Sequence, residues 1–541
     1  MERIKRKSFL LPGILLLLSF FCIFAVALKG YPFHLQKLAE VKPKPPSPGE
    51  KAKIERLPKL IIAQESDATT MDAHYVIDSP TASIMEHMVE PLLELTPKGE
   101  IAPKLVEKWE VSADAKEFLL KLKKGIRFHD GQPFNAEAVK VNFDRRLDPK
   151  AGTKFYFLVG QIASVTVIDE HTVKINTKSP FSPLLSHLTC TTNGMQSPVA
   201  LKKSWNKPLI MPIGTGPFIF KEWVPGNRVV MVQNEAYWGA KPNLSELVFR
   251  AMPDDASRIT ALESGAVQVA TQVPPSDLAR LKENPHVTIL QTPSVKTLYM
   301  GINCSKEPYT DKRVRQALNY AVNKEAIVEH VLGGAGHVSN APISAGIFGY
   351  TPIKTYAYSI EKARALLAEA GFPEGFETTL YSTEGRYYMD SSVAKAVIAD
   401  LQKVGVKADL KTMEWKSYLA HIFREKEGVD HGIYLLGWSC VTGDADYGLY
   451  VLLHSGEWPS KGTNASFFKN EKLDQLLEDA RKTANPGERK RLYKEAMALI
   501  VDEAPWIFLY SETQITGVRT NVRDVVVHPT RLVIAKHARV E

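Results

Sequence analysis

Residues 436–456 read LGWSCVTGDADYGLYVLLHSG. Two carboxylates, Asp444 and Asp446, stand two positions apart in a glycine-bearing turn between two apolar runs. They are the best carboxylate pair in the chain for acid–base chemistry, which needs a positioned proton donor or acceptor at the reacting atoms. Catalysis needs more than a base, however. The sequence holds no HExxH, no P-loop and no GxSxG, and GGAG at 333–336 is no complete dinucleotide fingerprint. The 14 histidines are scattered. His129 and His171 fall at turn signals, where a solvated or hydrogen-bonded ring is the ordinary case. Cys190, Cys304 and Cys440 have no zinc-ligand spacing and allow one disulfide at most. No cofactor or metal site is expected. Close aspartates without a nucleophile are also ordinary turn formers and helix caps, and both readings stay open here.

The elements that must position these residues alternate between strand and helix. KLIIAQESD is a strand entering a polar loop, and WEVSADAKEFLLKLKKGIRFHDG reads as strand, turn, strand. Asn135 is placed to cap AEAVKVNFDRRL, with Glu137 in the first turn. VTVIDEHTVKINT and GTGPFIFKEWVPGNRVVMVQN are hairpins. Helical spacing runs through TDKRVRQALNYAVNKEAIVEHVL, SIEKARALLAEAG capped by Ser359, and SSVAKAVIADLQKVG, after which VKADLKTMEW is a strand. Residues 470–503 predict two helices broken at Asn485-Pro486-Gly487. Such interleaving implies α/β architecture, with sheets covered by helices.

Length and charge narrow the class. A chain of 541 residues exceeds one core. The net charge of +8 is confined to residues 1–60, where twelve Lys and Arg meet four acids; beyond them 56 bases balance 56 acids. Nucleic-acid binding by a broad basic face therefore loses its support. MERIKRKSFLLPGILLLLSFFCIFAVALKG has a basic start and an apolar run. It reads as an export signal, with Ala25-Val26-Ala27 fitting cleavage, or as an uncleaved membrane anchor. Cys22, behind two phenylalanines, is a poor lipidation site. Either way the body is expected outside the cytoplasm, periplasmic or on the outer face of the membrane. Residues 29–57 read as a Pro/Lys-rich tether.

Several stretches together resemble one family. They are TTMDAH (69–74), APKLVEKWEVSADAKEFLLKLKKGIRFHDGQPFNAEAVKVNFDR (102–145), GTGPF…YWG…PNL within 214–270, DKRVRQALNYAVNKEAIVEHVLGG (311–334), YSIEKARALLAEAGF (358–372) and DEAPWIFLY (502–510). The chain resembles the family 5 extracellular solute-binding proteins of ABC transporters, which serve oligopeptides, dipeptides, nickel chelates and glutathione. Residues 437–477 look most like the glutathione-binding branch.

The resemblance implies a two-lobed periplasmic-binding-protein-like fold of type II, in its large three-domain form, with the ligand cleft between lobes. Domain I would comprise 58–90, 209–296 and 506–541, domain II 91–208 and domain III 297–505. The implied protein is a non-enzymatic monomer that carries short peptides, glutathione among them, to ABC permease and ATPase subunits. A nickel-chelate or haem receptor of the same fold, and a peptidase, are the alternatives. Burying a zwitterionic peptide requires an anion for its ammonium and a cation for its carboxylate. By the resemblance, Asp444 or Asp446 is expected to meet the ammonium and Arg386 the carboxylate, with a helix N-terminus adding positive potential. Trp438 and Tyr387 are expected as walls, and Thr69, Thr70 and Met71 as cleft-lining turn residues. Glutathione needs a second carboxylate partner; Arg424 is available, but no motif singles it out.

Overall fold

The computed structural model describes residues 57–459 and 461–541. All belong to one compact unit, Pro43–Glu541. The expected signal or anchor (1–28) and, except for Leu57, the tether (29–57) lie outside the described residues. No helix among the described residues is long and apolar enough to cross a membrane.

Two long strands form the spine. Val287–Ile302 and Trp506–Arg519 pair antiparallel along nearly their whole length. Their register breaks between Pro293 and Thr297. On one side of this ribbon stand Ile433–Ser439, Glu377–Thr383 and Lys407–Met413; on the other stand Val269–Ala270, Lys59–Gln64, Glu246–Ala251, Arg228–Gln233 and Phe218–Val224. With Gly336–Val338 on the ribbon's edge the sheet has 11 strands.

Directions matter more than count. Ile433–Ser439 runs along the ribbon from Ile302 to Lys296. Val269–Ala270 runs along it from Val518 to Gly517. The strands next to the ribbon on both sides thus point their carboxyl ends at the same break.

A separate four-stranded sheet pairs Val106–Val111, Glu117–Leu122, Thr172–Thr177 and Ile162–Asp169 in that order. Strict alternation in EFLLKL buries Phe118, Leu120 and Leu122. They pack in one core with Val139 and Phe143 of helix Ala136–Leu147.

Local signals hold where their partners are local. Asn135 caps its helix by accepting from Ala138 N at 3.0 Å, and Ser359 caps Ile360–Glu369. Both expected hairpins form. The two helices expected within 470–503 form as Glu471–Lys482 and Pro486–Glu503; Asn485 caps the second, and proline fits a first helical position, where no N–H is needed. One expectation needs correction. The helix expected over 310–332 stops at Ala321, because Asn323 caps a new turn while its own N–H is held by Asp400 at 2.8 Å. For the GDAD stretch the helix-cap reading holds, with Asp444 capping Ala445–Leu453 by accepting from Asp446 N.

The most recognisable stretches clasp the body together. Buried Glu90 accepts from Thr215 Oγ1, Tyr237 Oη and Trp238 Nε1 at 2.8–2.9 Å, so GTGPF and YWG share one carboxylate. Asp72 of TTMDAH, fully buried, accepts from Arg145 Nη2 at 2.8 Å and Gln196 Nε2 at 2.8 Å, and from Leu209 N at 2.9 Å. A buried carboxylate persists only when its lone pairs are answered in this way.

Candidate functional site, a cleft at the break in the ribbon

A cavity of about 680 Å³ opens where the strand ends converge. Carboxyl ends or the residues after them supply much of its lining: Glu65, Asp255, Gln272, Arg386 and Trp438 follow or end five strands. Crevices outside the carboxyl ends of open α/β sheets are where such folds bind ligands. Phe155, Leu158 and Thr189–Thr192 line it from the segments beside the four-stranded sheet.

Arg386 is presented by a loop that one carboxylate organises. Asp390 accepts from the backbone N–H of Gly385, Arg386 and Tyr387 at 3.2, 2.9 and 3.2 Å, and from Thr383 Oγ1 at 2.8 Å. Gly385, at φ +75°, makes the turn possible. The Arg386 guanidinium lies 4.7 Å over the Trp415 ring. Among the described residues no carboxylate lies within ion-pair distance of it. The helix N-terminus expected to add positive potential is instead answered by Asp390, the first residue of helix Asp390–Gln402.

The walls are aromatic. Trp438 donates from Nε1 to Tyr447 O at 2.9 Å, so it both packs and lines the cleft. Tyr387 is buried, which pushes its phenol up to about 12.

Two cations that no motif marked also line the cavity. Lys296 sits within the register break and donates to Glu512 Oε1 at 3.3 Å. Burial depresses its pKa to about 8; Glu512 opposes the shift, while Arg531 and Arg386 add to it. Arg531 Nη1 lies 3.5 Å from Glu512 Oε2. A lone lysine inside the apolar run SVKTLYMGI was the available sequence signal; for Arg531 there was none.

Most acids of the cleft are already paired. Glu86 and Glu94 share Lys104, at 3.1 and 3.4 Å, and Arg258 holds Asp255. Among the described residues Glu65 and Asp78 accept only from neutral groups: Thr271 and Gln272 donate to Glu65, Thr69 and Thr81 to Asp78.

The sequence candidates therefore divide. Arg386, Tyr387 and Trp438 meet in the cleft. Thr69, Thr70 and Met71 are not among its lining; Met71 is buried, Thr70 Oγ1 accepts from Asp72 N, and Thr69 supports Asp78. Arg424 does not line the cleft either. Asp444 and Asp446 are buried behind it. Arg489 Nη2 donates to both Asp444 oxygens at 2.9 Å, and Ser186 and Tyr493 add further bonds. Arg481 holds Asp446 in two bonds of 2.6 and 3.0 Å. In this geometry neither is free to meet a ligand ammonium, because a nearer cation already neutralises each.

Cys190, Cys304 and Cys440 are free thiols. Among the described residues no group of three His, Cys, Asp or Glu is placed to hold a metal ion.

A body whose strand ends converge from two sides on an aromatic, charge-lined cleft is built to bind a small solute. Residues 100–460 match the family described as bacterial extracellular solute-binding proteins, family 5 Middle, and the chain belongs to that family. It is 33% identical to the glutathione-binding protein GsiB of Escherichia coli over 87% of this chain and 92% of that one. HbpA2 from Haemophilus parasuis superposes with a TM-score of 0.81 at 28% identity, covering 89% of this chain and 100% of its own. The ABC transporter-associated periplasmic binding protein DppA from Helicobacter pylori, solved with the peptide STSA, gives 0.74 at 25% identity over 91% and 100%.

Proposed function

We propose that this chain is the extracytoplasmic substrate-binding component of an ABC importer that takes short peptides, glutathione among them, and delivers them unchanged to a membrane permease. The observation that carries the reading is the charge layout of the cleft. Arg386 is an uncompensated cation suited to two parallel bonds with a ligand carboxylate, and Glu65 and Asp78 are carboxylates without a cation, suited to its ammonium. The volume lies within the roughly 300–1,000 Å³ of small-ligand sites. The relatives' names, glutathione-binding and peptide-bound, support the same class.

In this reading the ribbon is the hinge. Its break at Pro293–Thr297 coincides with the proposed boundary between domain I (209–296) and domain III (297–505). Closure would bring both groups of strand ends onto one guest.

Native mass spectrometry of the purified chain is the test. The expected result is a carried di- or tripeptide, released intact on unfolding, with calorimetry confirming rebinding. Absence of binding by any di-, tri- or oligopeptide would defeat the reading, and cleaved peptide on release would favour an enzyme.

A further inference from the structure

The charges around Glu512 do not balance. One carboxylate faces Lys296, Arg531 and, further off, Arg386, so the cations outnumber the carboxylate that lies between them. Lys296 is only 7% exposed, yet among the described residues its side chain has one hydrogen-bond acceptor, Glu512, and it also faces the Tyr387 ring at 4.7 Å. An ammonium carries three donors, and leaving donors unanswered in a buried place is unfavourable. Glu512 Oε2 accepts no hydrogen bond among the described residues.

Arg531 supplies an independent observation. It sits at φ +74° in the turn joining the short strands Val526–Val527 and Val533–Ile534. Glycine takes that conformation freely and arginine does not. A strained non-glycine residue in a ligand cleft suggests that its side chain has work there. Arg531 and Glu512 also line a second, adjoining chamber of about 120 Å³, which gives room beside Arg531 for one arm of a ligand.

We propose that Lys296 and Arg531 form a second carboxylate subsite, distinct from Arg386, so that the cleft selects short peptides with one ammonium and two carboxylates. This rests on the peptide reading above. Arg386 takes one carboxylate, the Lys296–Arg531 pair takes the other, and Glu512 holds the two cations at a fixed spacing until the guest arrives. Glutathione and peptides with one acidic side chain have this charge pattern; peptides with neutral side chains do not.

Calorimetry with glutathione and with trialanine tests it. The expected result is that Lys296→Met combined with Arg531→Gly weakens glutathione about tenfold or more, the scale of a lost charge-assisted hydrogen bond, and trialanine less than about twofold. Arg531→Gly alone should leave the melting temperature unchanged or raise it, since glycine suits that backbone. Equal weakening of both ligands, or of neither, overturns the second subsite while leaving the peptide reading intact. Failure of the unmodified chain to bind any peptide overturns both.

Discussion

Behind the cleft, Asp444 and Asp446 meet Arg489 and Arg481; within it, Lys296 and Arg531 share one carboxylate, Glu512, and Arg386 pairs with none among the described residues. The two regions use the same residue types. Behind the cleft each charge has its opposite within hydrogen-bond distance and little water. Burial alone would disfavour the Arg489 guanidinium, yet Asp444 holds its pKa above the ordinary arginine value. In the cleft, cations outnumber their partners and face an open volume. The role of a charged residue here follows from what already neutralises it, which residue identity does not reveal.

The comparison breaks most sharply at Asp444. Asp444→Ala leaves Arg489, whose side chain is 8% exposed, without its counter-charge. A loss of about 3–5 kcal/mol in urea denaturation is expected. Asp446→Ala should cost less, because the Arg481 side chain is 17% exposed. An Asp444→Ala chain that denatures like its parent but no longer binds peptide would restore the ammonium role.

Arg386→Ala is the converse. Its exposed side chain stacks on Trp415 and bonds no carboxylate among the described residues, so stability should shift by no more than about 0.5 kcal/mol. Peptide affinity should fall by about 1.5–3 kcal/mol, read by calorimetry. Loss of stability without loss of affinity would place Arg386 with the structural arginines.

Asp78→Asn sharpens the other end of the cleft. Asparagine caps the helix Ser79–Met85 as well as aspartate, so folding should be spared. Affinity for a free peptide should drop by about 1 kcal/mol, while affinity for its N-acetylated form should not change.

The smallest effect is with pH. Lys296 has a pKa of about 8 in the fold against an ordinary 10.5, so between these values the unfolded chain binds more protons. Its contribution to stability therefore rises with pH across that window. Over the same rise the cleft loses a positive charge. Affinity for a doubly carboxylated peptide should fall between pH 7 and 9 by less than about tenfold per pH unit, and more than in Lys296→Met. Equal slopes in the two chains would remove Lys296 from the site.

How far the site was legible follows from these separations. Arg386, Tyr387 and Trp438 were marked by motif and do line the cleft. The ion pairing of the two aspartates was not legible, because their partners lie 35 and 45 residues away, on other helices. Lys296 and Glu512 are 216 residues apart and meet only through the pairing of two strands. Some recognisable motifs, TTMDAH, GTGPF and YWG, proved to be clasps around Asp72 and Glu90.

The sequence by itself determined the α/β alternation, the hairpins, most helix caps, the family and a charge-neutral body, because each depends on residues a few positions apart or on an ordered set of motifs. Only the tertiary structure decided which charges are spent and which remain free. That depends on desolvation and on the nearest opposite charge, and the chain sets both by bringing together residues hundreds of positions apart.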